Sequence, residues 1–218
     1  MADRIAVLTY DRPHRKTQDV IFGMIANGHR PDVLALPWID RKGHTPLFPH
    51  RPATMYPVPP AKLCENLRLR CIPVQTATLV DILPFYERVV IGGAPILPKA
   101  VVNAAVVINS HPGFLPYVRG LDAYKWAILE GLPIGVTVHQ IDSDIDRGWL
   151  IAQAAVQYQD FYRTARELYE LEIRMLVERF GDPIGERLDD SHPIRRRMPH
   201  AKEISMMAHQ ETARCARW

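Results

Sequence analysis

The feature that most limits what this chain can become is a series of short apolar runs separated by helix-length stretches. "RIAVLTY" (Arg4 to Tyr10), "DVLALPW" (Asp32 to Trp38), "RCIPV" (Arg70 to Val74), "RVVIGG" (Arg88 to Gly93) and "AAVVI" (Ala104 to Ile108) each have the length of a buried strand. Helical patterns are expected near 17–27, with Gly28 as the stop, and near 76–86. That alternation implies βαβ units and an α/β fold: a Rossmann-like, mostly parallel sheet flanked by helices.

Downstream, a helix is expected over 122–130, with Asp122 as its cap and Gly131 at its end. Strands follow at 134–141 and 149–158. "TARELYELEIRMLVERF" (Thr164 to Phe180) places Leu168, Leu171, Met175 and Leu176 on one helical face, which reads as core. After Gly181 the composition turns polar and basic. The organisation expected is one domain over 1–188 and a loosely attached tail over 189–218. Six prolines between Pro46 and Pro60 exclude helix or central strand there, leaving a long loop. It reads either as a lid or as a surface excursion, the second being favoured.

Composition narrows the function classes. An apolar fraction of 47% and a charged fraction of 23% are ordinary for a globular protein, and a net charge of +3 gives no argument for nucleic acid. No apolar stretch approaches the roughly 20 residues that cross a bilayer. The first residues carry no targeting pattern, and three cysteines give neither a disulfide framework nor a CxxC pair, so a reducing cytoplasm is expected. Basic residues gather in "RPHRK" (Arg12 to Lys16) and "RRR" (Arg195 to Arg197), read as solvated surface or as contacts for a small anion.

Several chemistries fail on spacing. "DSDIDRG" (Asp142 to Gly148) begins like a calcium loop, but its sixth position is Arg147 and its twelfth is Gln153. After the first strand "DRPHRKTQD" has no glycine, which removes the nucleotide-phosphate loops, and no G-x-S-x-G elbow is present. His111 and His139 have no third ligand at a zinc-like spacing, so no metal is expected.

What remains is "NSHPGFLPYVRG" (Asn109 to Gly120), at the carboxyl end of a strand, where open α/β sheets place their functional groups. An amide, an imidazole and a later carboxylate suit acyl transfer to an amine. The amide N–H can hold an oxyanion, the imidazole can move a proton, and the acid can orient the imidazole.

These residues also carry a resemblance. "NSHPGFLPYVRG", then "GVTVHQIDSDIDRG", resembles the signature of the folate-dependent formyltransferases: N-x-H-P-x-x-L-P, R-G in many members, G-x-T-x-H, and a D-x-G loop. "GGAPILPKAVV" (Gly92 to Val102) is similar to the family's pterin-side segment, so the likeness runs over about 88–180. It implies Asn109, His111 and Asp146 as the catalytic trio, and His139 in a supporting part. It implies N10-formyltetrahydrofolate as co-substrate, held by Ala94, Pro95, Ile96, Leu97 and Val102 on one side and Ile141, Asp142, Ser143 and Asp144 on the other. Gly113 and Phe114 stand where the family often has serine and leucine, departures read as matters of packing. The basic first loop and the short tail bring the chain nearest to the nucleotide-sugar enzymes, with Arg12, Arg15, Arg119 and Gly120 expected at the acceptor. The other readings are a different small-molecule amine acceptor, a non-catalytic folate-binding module, or a hydrolase of the same folate. A homodimer is left open.

Overall fold

The computed structural model describes residues 4–38, 45–53, 56–189 and 191–215, with side chains up to 209. Strand β1 (Ile5–Tyr10) is buried along its whole length, as a run apolar on both faces must be. It leads into helix α1 (Arg15–Ala26), whose buried Lys16, Val20 and Met24 recur every fourth residue and define its inner face. Asn27 closes the helix and Gly28, at φ +82, takes the chain out in the left-handed region. Strand β2 (Asp32–Leu36) follows.

Helix α2 (Pro60–Leu67) was not expected; it starts directly after the proline-rich segment, with Pro60 in its first turn, where a missing N–H costs nothing. Strand β3 (Cys71–Pro73) comes next. The single helix expected near 76–86 is broken into a 3₁₀ turn, the short α3 (Leu79–Ile82) and a second 3₁₀ turn at Leu83–Phe85, where Pro84 cannot continue an α-helical ladder. Then come β4 (Arg88–Ile91), α4 (Lys99–Ala104), β5 (Val107–His111) and the short β6 (Arg119–Gly120). Helix α5 (Ala123–Glu130) ends at Gly131 as expected, but Asp122 does not cap it. Asp122 lies at φ 54, and its carboxylate instead accepts the Met198 N–H at 2.9 Å. Strands β7 (Gly135–Ile141) and β8 (Gly148–Ala155), helix α6 (Phe161–Arg179), β9 (Ile194–Arg195) and α7 (His200–Cys215) complete the chain. Asp160 caps α6 by accepting from the N–H groups of Tyr162 and Arg163.

The sheet order is β3-β2-β1-β4-β5-β7-β8. It is parallel through β5 and antiparallel at β5–β7 and β7–β8, so the mostly parallel sheet expected is the one found. Alternation along each strand feeds two cores. Val7, Val33, Val90 and Ile108 pack toward α1 and α6, while Leu8, Leu34, Val89 and Val107 pack toward α3 and α4.

The segment over 189–218, expected as a loose tail, is packed where it is described. β9 pairs with β6, and Met198, Glu203 and Met206 are buried. Glu203 pairs with the buried Lys125 of α5, and its other oxygen accepts the Leu47 N–H at 2.8 Å. The proline-rich segment is anchored as well. Gln18 bonds both Tyr56 O and Val58 N, and Phe48 meets Phe161 edge to face. Residues 40–44 and 54–55 of that segment lie outside the described residues.

Candidate active site

The end of β5 sets the site. Asn109 pairs with His139, and His111 with Thr137, across the antiparallel ladder to β7. Period-two alternation puts Asn109 and His111 on the α4 side of the sheet and Ser110 on the α1–α6 side. Asn109 is half-buried, and its carboxamide has no partner among the described residues. His111 is buried and donates from Nε2 to the Val118 carbonyl at 2.9 Å. A carbonyl only accepts, so the proton of a neutral ring sits on Nε2 and the Nδ1 lone pair is left free. That Nδ1 faces Asp146 Oδ1 at 3.4 Å. A proton taken up at Nδ1 would thus be received between two acceptors.

Asp146 reaches this position through an unusual backbone, with φ 47. The Gly120 N–H donates to its Oδ2 at 2.6 Å. Arg119 grips the preceding residue: its Nε and Nη2 donate to Ile145 O at 3.1 and 2.7 Å, and Nη1 donates to His192 O at 3.3 Å. The other two acids of the loop are engaged in holding its shape. Asp142 accepts from Asp144 N, Arg147 Nε and Arg187 Nη2, and Asp144 pairs with Arg147 at 2.8 Å. Only Asp146 of the three is aimed at the imidazole.

The turn after His111 is pinned from β7 and β8. Thr137 Oγ1 donates to Gly113 O and accepts from Leu115 N, and Gln153 Nε2 donates to Leu115 O at 2.7 Å. A Cβ at Gly113 would come within 2.4 Å of His111 Nε2. The imidazole therefore occupies the space that any larger residue at 113 would need.

His139 lies beside Asn109 at a bulge in β7. Its Nδ1–H donates to Arg147 O at 3.0 Å, and its buried Nε2 has no partner among the described residues. Burial above all, with the nearby His111 adding to it, lowers its pKa to about 4, so the ring is neutral near pH 7.

On the α4 side, Leu97 and Val102 are buried, and Ala94 and Ile141 pack against the same cluster. Val102, Gln140, Ile141 and Asp142, with Asn103 and Trp149, line a groove of about 410 Å³. Pro95 is half-buried, while Ile96 and Ser143 are exposed. Of the residues expected to hold the donor, Val102, Ile141 and Asp142 line this groove, and Ala94, Pro95, Ile96, Leu97, Ser143 and Asp144 do not.

The basic residues of the first loop divide. Arg12 stacks on Trp38 at 4.1 Å, and Arg15 pairs with Asp19 at 2.6 Å while donating to Ala53 O. Lys16 turns inward, to Glu172 and the Ser110 carbonyl. Burial pulls the pKa of Lys16 down against the pull of Glu172, whereas Arg51 and Lys16 hold Glu172 low in spite of its burial. Sequence reading missed this pair, and the signal was present: Glu172 stands on the Leu168–Met175 face and Lys16 on the Val20–Met24 face, both otherwise apolar. His14 joins Thr17 Oγ1 at 3.0 Å, and burial, with Lys16 and Arg51 beside it, lowers its pKa to about 4.

Comparison with known proteins places the chain in a family. Residues 68–176, half of the chain, match the model of a family described as Formyl transferase. The dTDP-4-amino-4,6-dideoxyglucose formyltransferase of Mycobacterium tuberculosis is 33% identical over 86 residues, which cover 38% of this chain and 37% of that protein. The chain thus matches little more than a third of that relative's length. A sugar N-formyltransferase from Shewanella sp. superposes with a TM-score of 0.63 at 15% identity, covering 94% of this chain and 86% of the other. A formyltransferase from Anoxybacillus kamchatkensis, solved with a UDP-linked formamido sugar and tetrahydrofolate, superposes with a TM-score of 0.50 at 21% identity, covering 88% and 85%.

Proposed function

The chain belongs to the formyl transferase family, and from that premise we propose that it moves the formyl group of N10-formyltetrahydrofolate to the primary amine of a small molecule, a nucleotide-linked amino sugar. The observation that carries the reading is the 3.4 Å approach of Asp146 to His111 with Asn109 on the same face of β5, beside the apolar walls of Leu97, Val102 and Ile141. The donor supplies an already activated formyl carbon. Asn109 would donate its amide N–H to the oxygen of that group as the amine adds, an interaction worth roughly 3 kcal/mol where it strengthens in the transition state. His111 Nδ1, backed by Asp146, would accept the proton the amine loses. Returning that proton to the departing nitrogen closes the cycle with no covalent enzyme intermediate.

The sugar acceptor is supported by the name of the Mycobacterium tuberculosis relative and by that of the Shewanella structure. Incubation with N10-formyltetrahydrofolate and a panel of nucleotide-linked amino sugars, free amino sugars and amino acids, read by tetrahydrofolate release, tests it. Turnover of another amine with every nucleotide sugar inert would transfer the reading to that amine. Tetrahydrofolate release without any acceptor would mark a hydrolase.

A further inference from the structure

Two charged side chains are buried behind the proposed site. Lys16 is 7% exposed and Glu172 1%. Lys16 Nζ donates to Glu172 Oε1 at 2.8 Å and to the carbonyl oxygen of Ser110 at 3.0 Å. Ser110 Oγ lies 3.5 Å from the same carboxylate oxygen, and Arg51, reaching in from the proline-rich segment, places Nη1 3.7 Å from the other. Stability alone gives weak grounds for such a pair. Removing two charges from water is costly, and apolar residues of similar volume often serve the fold as well.

The location supplies the grounds. β4 pairs with β5 only at Val89–Val107 and Val90–Ile108. Beyond Ile108, β5 runs on as an overhang, held in the sheet by β7 alone. A backbone carbonyl buried on the unpaired side of that overhang needs a donor from elsewhere. Lys16 donates to the carbonyl of Ser110, the residue that joins Asn109 to His111. Glu172, on α6, fixes where the ammonium can sit.

We propose that Lys16 is a positioning residue, anchored by Glu172 and Arg51, that takes the place of the absent strand partner and sets the relative placement of Asn109 and His111. It touches neither donor nor acceptor. Its kinetic consequence rests on the formyl-transfer reading; its structural consequence does not. A displacement of about 1 Å in a reacting group can cost on the order of 100-fold in rate.

The test compares the wild type with Lys16→Met and with the double variant Lys16→Met/Glu172→Leu. The single variant leaves the buried Glu172 carboxylate with only the longer Arg51 pairing and is expected to unfold at lower temperature. The double variant removes both charges, so its melting temperature should return toward that of the wild type. Its kcat should still fall about 10- to 100-fold, with KM for N10-formyltetrahydrofolate within about threefold, because the Ser110 carbonyl has lost its donor. Amide exchange of the free protein should accelerate at Ser110 and His111 while α1 and α6 keep their protection. A double variant with wild-type kcat and wild-type exchange at Ser110 and His111 would overturn the proposal, as would exchange accelerated equally through α1 and α6. If the wild type transfers formyl to no amine, the functional reading fails on its own, and the exchange experiment still decides the role of Lys16.

Discussion

The backbone N–H of Gly120 donates to Asp146 Oδ2 at 2.6 Å, and the same carboxylate's Oδ1 faces His111 Nδ1 at 3.4 Å. One backbone group thus sets the direction of the acid. Arg119 immobilises the residue before it through Ile145 O. The Arg-Gly pair, expected at the acceptor, has its geometry committed to the aim of Asp146.

Arg119→Met separates the two roles. Loss of the guanidinium frees Ile145 O and His192 O and should loosen the Asp146 loop. The expected result is a fall in kcat of about 10- to 100-fold with KM for the acceptor little changed, the pattern of an interaction that matters in the transition state. Steady-state kinetics against acceptor concentration decide it. A rise in acceptor KM at constant kcat would return Arg119 to the substrate.

Gly113 tests the packing of the imidazole. With a Cβ only 2.4 Å from His111 Nε2, Gly113→Ala must move the ring away from Val118 O. We expect kcat to drop by about 10²-fold or more, since the proposed base loses its orientation, while tetrahydrofolate binding persists. The ring ¹⁵N shifts of His111 should show the Nε2 proton losing its partner. An unchanged imidazole spectrum would contradict the geometry.

In the proposed mechanism His111→Ala, Asp146→Asn and Asn109→Ala act on one proton path and one oxyanion. Each alone should reduce kcat by roughly 10²- to 10⁴-fold. Pairs should cost less than the product of the singles, because groups that work as a unit are not additive. Strict multiplicativity between His111→Ala and Asp146→Asn would show that they do not act together.

Much of this arrangement was legible in the chain, for reasons that particular residues show. Short apolar runs made β1, β2, β4 and β5 readable, because strands buried on both faces leave little choice of composition. Motif spacing marked Asn109, His111 and Asp146; the fold brings His111 and Asp146 to 3.4 Å and keeps Asn109 on the same face of β5 as His111. What stayed hidden depends on contacts distant in sequence. The Lys16–Glu172 pair spans 156 positions, and Lys125–Glu203 spans 78. Asp122 precedes α5 as a cap residue should, yet its carboxylate is taken by Met198 N, 76 residues on. Helix 76–86 failed for a local reason, Pro84, and α2 was missed because the prolines before it masked its start.

The Lys125–Glu203 pair makes the C-terminal segment part of the fold. Both side chains are fully buried, and Lys125 with the Leu47 amide keeps Glu203 ionised against the cost of burial. Glu203→Leu leaves an unpaired buried ammonium and should cost about 3–5 kcal/mol in urea unfolding. Adding Lys125→Met should recover most of that loss. A Glu203→Leu protein as stable as the wild type would mean that α7 is not docked in solution.

Acid should destabilise the protein well before its carboxylates titrate. Burial lowers the pKa of His14, His50 and His139 from 6.5 to about 4, aided at His14 by Lys16 and Arg51 and at His50 by Arg51. Between those values the unfolded chain binds more protons than the native one, so stability rises with pH across that interval. The contribution of these rings is complete above about pH 6.5 and is lost as pH falls toward 4. The depressed carboxyls of Asp32, Glu172 and Glu203 add their own loss below their unfolded values of 3.8 and 4.5. A melting temperature that is level near neutrality, falls from about pH 6.5 and steepens below about 4.5 is therefore expected from differential scanning fluorimetry. His50→Phe keeps a ring against Tyr124, 5.8 Å away, and removes one titrating group, so its profile should be flatter over the first part of the fall. A wild-type melting temperature indifferent to pH from neutrality to about 5 would show that these rings are not buried in the native state.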